Sequence, residues 1–263
     1  MLLANLGIAH LTANLNQEAC MVDYISDELF HFVGNGKPDD DEGNFQTLVK
    51  ILNSRCISCS PPEIGWGQRK VTVKRENSLL NEGLVYSDIS CFCDIPRKTL
   101  ARHVAKYGCF GVGFHRVDMA RKGARPVLYV PMTSHDWGSP YGATLLSDIE
   151  AIFKGFLSQL YDPIEDDEPS ESSRHLTRVP ESPQEAIFTL HDMLTRDFLA
   201  YIKPYDAELP VDDINYFYSE REWRRQGGLM FELTDITTII IKAGYEGRLR
   251  EAIPDYRGGV VQI

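Results

Sequence analysis

An α+β fold is predicted for this chain, with small mixed or antiparallel sheets forming a cleft and a two-helix insertion. Three features predict it. β-Branched and aromatic runs bounded by Gly, Pro and Asp occur early, at Lys70–Lys74, Val85–Phe92, Phe110–Phe114 and Arg125–Pro131. Similar runs return late, at Leu229–Leu233 and Ile236–Ile241. Between them the apolar spacing changes to three and four residues. Strands on both sides of a helical insertion favour one α+β domain over two autonomous ones.

In order, residues 1–20 read as an N-terminal extension, with Met21 a candidate native start and the domain running over 21–244. His31 sits among Leu29, Phe30, Phe32 and Val33. Residues 34–43 read as a loop from their glycines, proline and acidic run. Asn44 is placed to cap a helix carrying Phe45, Leu48, Val49 and Leu52 on one face. A helix from about Pro96 to Tyr107 is closed by Gly108 and has His103 on its solvent side. Phe110–Phe114 (FGVGF) is a glycine-thinned strand, which lets another backbone or a ligand come close. The helical insertion spans about 142–203: one helix over 142–161, a loop or disordered acidic excursion over 162–183, and a second helix over 184–203. Residues 245–263 read as a polar tail.

The 263 residues carry a formal charge of -11, which argues against a surface broadly adapted to nucleic acid. There is no secretory signal pattern and no apolar window of bilayer length. Six cysteines in that setting read as reduced thiols of a cytoplasmic protein with no membrane contact.

The densest chemistry lies in Tyr216–Gln226, YFYSEREWRRQ. Strand alternation puts Glu220, Glu222 and Arg224 on one face, and Arg221, Trp223 and Arg225 on the other. Two carboxylates and a guanidinium cannot be buried unpaired, so that face is solvated, ion-paired or lining a site. A carboxylate there is able to polarise a ribose hydroxyl or stabilise an oxocarbenium-like centre. The ordinary alternative is an exposed strand with cross-strand ion pairs. Cys56, Cys59, Cys91 and Cys93 have the number of thiols for a tetrahedral zinc site, but the close C-x-C pair on a strand favours plain buried thiols, and no metal is expected. No H-E-x-x-H, G-x-S-x-G or phosphate-binding glycine loop is present.

HFVG (31–34), FQTLVKIL (45–52), CFCDIP (91–96), HVAKYGCFGVGF (103–114), PVLYV (126–130) and YSEREWR (218–224) together resemble the AbiGi family of abortive phage resistance proteins, over about residues 25–242. The resemblance implies antiphage defence by abortive infection, within a toxin–antitoxin-like pair. A histidine-bearing strand, a following helix and a late E-x-E are more distantly similar to ADP-ribosyltransferases, although no S-T-S triplet appears. That likeness implies NAD as a substrate. His31 would anchor the adenosine-side ribose, Tyr107 or Tyr129 would stack on nicotinamide, and Arg224 would complete the cofactor-binding set. Glu222 would stabilise the oxocarbenium ribose, and Glu220 would position an acceptor macromolecule. Two functional expectations follow: an ADP-ribosyltransferase-like toxin in which His31 and Glu222 share a pocket, or a non-catalytic antitoxin whose acidic surface, including the 162–183 excursion, covers a basic toxin. A zinc-supported nucleic-acid binder is a third.

Overall fold

The computed structural model describes residues 26–57, 71–74, 76–133, 141–160, 182–213 and 215–263. The expected N-terminal extension and most of the 162–183 excursion lie outside them. The α+β class is borne out, with small sheets and two helices in the insertion. The chain divides into two compact units: residues 1–54, 92–122 and 232–263 in the first, and 55–91 and 123–231 in the second.

The first unit is built around β1 (Glu28–Phe32), β6 (Gly111–His115) and β12 (Ile236–Ile241). β1 and β6 are antiparallel, with His31 opposite Val112, and β6 is antiparallel to β12. Strand β13 (Gly259–Gln262) lies parallel to β12 on its other edge. Residues 245–263, expected as a tail, thus form helix α6 (Glu246–Ala252) and a sheet strand. Ile239, Ile240 and Ile241 are fully buried, which is why this run has no polar alternation. The two glycines of β6 serve the neighbouring strand. A Cβ at Gly111 would lie 2.7 Å from the His31 carbonyl, and one at Gly113 would lie 2.8 Å from the Phe30 ring. Of the two expected visitors, backbone or ligand, the close approach is made by β1.

Helix α1 (Asp41–Ser54) starts a turn earlier than expected. Asp40, not Asn44, caps it, accepting from the Gly43 N–H at 2.9 Å, and Asp41 and Glu42 occupy the first turn, where the helix dipole favours them. Asn44 is instead buried and donates to the Lys37 carbonyl at 2.9 Å. Helix α2 (Leu100–Tyr107) ends at Gly108, whose φ of 79° suits glycine. His103 on this helix is buried, not solvent-facing, because Leu100 and Val104 turn that side into the core of Phe30, Phe32, Cys93, Ile95 and Ile240.

In the second unit, β2 (Cys56–Ile57) pairs with β11 (Leu229–Met230) and β3 (Val71–Val73) pairs with β4 (Val85–Ser87), the expected Val85–Phe92 strand being broken at Asp88 into β4 and the start of β5 (Ile89–Cys93). Similarly, Arg125–Pro131 divides into β7 (Arg125–Pro126) and β8 (Leu128–Met132). Helix α4 (Tyr141–Leu160) and helix α5 (Pro183–Asp192) form the insertion, where α3 is Arg116–Arg121 of the first unit. Ser182 caps α5, accepting from the Glu185 N–H at 3.1 Å. The expected helix over 184–203 is helical nearly throughout: α5 runs on as a π-helix over Met193–Phe198 and a 3-10 turn over Leu199–Tyr201, and only Ile202 and Lys203 depart into a further strand, β9 (Ile202–Asp206), parallel to β8. Pairing with β8 takes over from the helical period at Ile202, which joins helical Leu199 in a core with Leu79, Leu84, Val130, Leu146 and Phe153. Burying each such side chain is worth about 1.5–3 kcal/mol.

Candidate functional site

Tyr216–Gln226 is not a continuous strand. Phe217–Glu220 forms a tight turn, closed by Arg221 in the left-handed region (φ 47°), and strand β10 (Glu222–Gln226) begins after it. Within β10, Glu222, Arg224 and Gln226 are buried and Trp223 and Arg225 half-buried, so the predicted faces hold. Glu220 is buried as well, although the turn delivers it. This excludes the exposed-strand reading.

Burial is made tolerable by pairing. From β9, the Lys203 ammonium donates to Glu220 at 3.3 Å and, in a shorter contact, to Oε2 of Glu222. Arg224 Nε donates to Oε1 of Glu222 at 2.7 Å. Its Nη1 donates to the Ala200 carbonyl at 2.8 Å, and its Nη2 to Glu82. Glu82 is delivered by a turn that α4 holds: Glu150 accepts from the Ser78 hydroxyl at 2.7 Å and the Leu79 N–H at 2.9 Å. The Tyr129 hydroxyl accepts from the Glu222 N–H at 2.7 Å, and the Gln226 amide donates to the Arg196 carbonyl at 2.8 Å. Glu220, Glu222, Arg224 and Gln226 therefore each have a partner from another element.

The electrostatics follow from that geometry. Burial alone would push the Glu222 carboxyl up, but Arg224 and Lys203 outweigh it and hold its pKa at about 2. Burial would pull the Lys203 ammonium down, yet Glu222 and Glu220 keep it above its ordinary value. Arg224 is raised in the same way by Glu222 and Glu82, against its desolvation. Burial raises the Tyr129 phenol, so it stays neutral as an acceptor. Chemically, this is an ion-pair network of three carboxylates and two cations, with Glu82 at its half-exposed edge. Both oxygens of Glu222 are engaged by cations of its own unit.

Of the residues singled out from the sequence, Glu220, Glu222, Arg224 and Tyr129 are brought together in the second unit. His31 and Tyr107 belong to the first. The His31 ring is half-buried on β1, 5.7 Å from the Phe92 ring. Tyr107 stacks on Phe32 at 6.3 Å, with Lys106 above it. Lys203 was not singled out; its only signal is a lone cation in the apolar run Tyr201-Ile202-Lys203-Pro204-Tyr205. Glu82 gave none. A second missed pair lies in the first unit: Arg97 grips buried Glu28 through two hydrogen bonds of 2.5 and 2.8 Å, and the Thr237 and Thr238 hydroxyls also donate to that carboxylate.

Cys59 of the candidate zinc set lies outside the described residues, Cys91 is exposed, and the Cys93 thiol donates to the Phe30 carbonyl at 3.3 Å. Among the described residues no group of three or more His, Cys, Asp or Glu is arranged to hold a metal ion. No described helix is long and apolar enough to cross a membrane.

No curated protein and no solved structure matches the chain. Residues 75–245 match the family model described as "Putative abortive phage resistance protein AbiGi, antitoxin". The match takes in CFCDIP, HVAKYGCFGVGF, PVLYV and YSEREWR and leaves out HFVG and FQTLVKIL, so it is narrower than the span read from the sequence.

Proposed function

The chain belongs to the AbiGi family of abortive phage resistance proteins, and from that premise we propose that it is the non-catalytic antitoxin of an abortive-infection pair, neutralising a cognate toxin in the cytoplasm by binding it. The observation that carries the reading is the family match across most of the chain, under a description that names an antitoxin. The engagement of Glu222 supports it. A carboxylate that stabilises an oxocarbenium ribose must present a free oxygen to the sugar. Here one oxygen is held by Arg224 and the other by Lys203. The comparisons lend no support to the ADP-ribosyltransferase likeness, and Glu220 and Glu222 are read as parts of a buried latch. The formal charge of -11 is that of a protein suited to covering a basic surface.

Co-expression tests this. The chain alone should leave growth unchanged, and it should restore growth to cells expressing its cognate toxin. The Glu222→Gln variant should still neutralise when folded. Arrest by the chain alone, lost in Glu222→Gln and accompanied by nicotinamide release from NAD, would instead establish the toxin reading.

A further inference from the structure

Four tyrosines of the second unit, Tyr129, Tyr205, Tyr216 and Tyr218, form a single cluster. The Tyr205 and Tyr218 rings are 5.1 Å apart and 28° from parallel. Tyr129 meets Tyr218 edge-on at 5.1 Å, and Tyr216 meets Tyr205 at 5.8 Å. The cluster rises from the buried latch to the surface. At its base Tyr129 binds the Glu222 N–H, and at its top Tyr218 is 46% exposed.

The chain joining Tyr205 to Tyr216 contains Asp206, Glu208, Asp212 and Asp213 and no Lys or Arg. It is tied down beside the rings. The Ala207 N–H donates to the Met132 carbonyl at 3.1 Å, and the Tyr216 N–H to the Asp213 carbonyl at 3.1 Å. Asp206, Glu208 and Asp212 are exposed, as is Val211. A half-exposed tyrosine stack is thus bordered by an acidic loop whose ends meet in it.

We infer that this face is where the toxin docks, and that the toxin presents arginine or lysine side chains to it. The inference rests on the antitoxin reading and adds the surface and the chemistry of its partner. Stacked phenol rings offer rigid area at little entropic cost and a negative ring face that attracts cations. Tyrosine is enriched among residues that dominate binding energy. The acidic border steers a basic surface in and repels phosphate backbones, which sets a protein partner above a nucleic acid. The same unit already makes this pairing internally: Lys203 lies 4.9 Å from the Phe217 ring centre and Arg125 lies 4.1 Å from that of Tyr201.

The test uses the full-length chain and its purified cognate toxin. Affinity is measured for the unaltered chain, for Tyr218→Ala, for Glu208→Lys with Asp212→Lys, and for Asp255→Lys in the first unit as a control. Tyr218→Ala should weaken binding by about tenfold or more. The double reversal should slow association by about tenfold, and the control should stay within about twofold. Should Tyr218→Ala fail to fold, the double reversal alone decides, because both of its side chains are exposed. Unaltered protein that binds, with both variants within about twofold of it, would overturn the docking surface and leave the antitoxin reading standing. Unaltered protein that neither binds nor neutralises would overturn both.

Discussion

Glu222 is the residue on which the second unit's interior depends. Removing its charge leaves Lys203 with Glu220 alone and Arg224 with Glu82 alone. Breaking a buried pair costs about 3–5 kcal/mol, and the surviving partners place Glu222→Gln near the lower end, at roughly 3 kcal/mol in urea unfolding. Glu220→Gln should cost less, about 1 kcal/mol, since the contact of Glu220 to Lys203 is longer than that of Glu222. The pH dependence has a definite sign. The folded pKa of Glu222, about 2, lies below its ordinary 4.5, so its contribution is complete above pH 4.5 and lost as pH falls towards 2. The stability gap between the unaltered chain and Glu222→Gln should therefore close across that window, which acid titration of the two proteins would show. Strand alternation alone gave the face shared by Glu222 and Arg224. Lys203 was illegible because its partners lie on β10 and on the turn before it.

Strand β6 shows how an element's composition answers to its neighbour. Gly111 and Gly113 look like openings for a ligand when read along the chain, but they accommodate the backbone and rings of β1. Gly111→Ala should destabilise the protein by about 1–3 kcal/mol, because the obstruction is the His31 carbonyl, which cannot swing aside. A thermal midpoint lowered by several degrees would register it. Insensitivity to the change would mean that the strand pair is looser than its register implies. Helix α5 teaches the converse. Its course over 184–203 was readable from the spacing, whereas the change from α- to π- and 3-10 geometry was not, because Leu199 and Ile202 are drawn into a core with residues distant in the chain.

At the scale of the whole molecule, charge sets how a partner is met. With a formal charge of -11, the proposed association with a basic toxin should be steered over distances near the Debye length. The on-rate should fall several-fold between roughly 0.05 and 0.5 M salt while the off-rate changes little, readable by stopped flow. A salt-independent on-rate would remove electrostatic steering from the account.

The sequence by itself determined the α+β class, the helix over 142–161, the glycine-bearing strand and the shared face of Glu222 and Arg224, because each is written in local spacing that the backbone must obey. It also carried the family motifs. Only the tertiary structure decided what that face does: Lys203 arrives from β9 and Glu82 from a turn held by α4, turning a run of charges into a closed latch. Ion pairing acts through space and leaves no period along the chain, and so a lone lysine between Ile202 and Pro204 shows its role only when the strands are side by side.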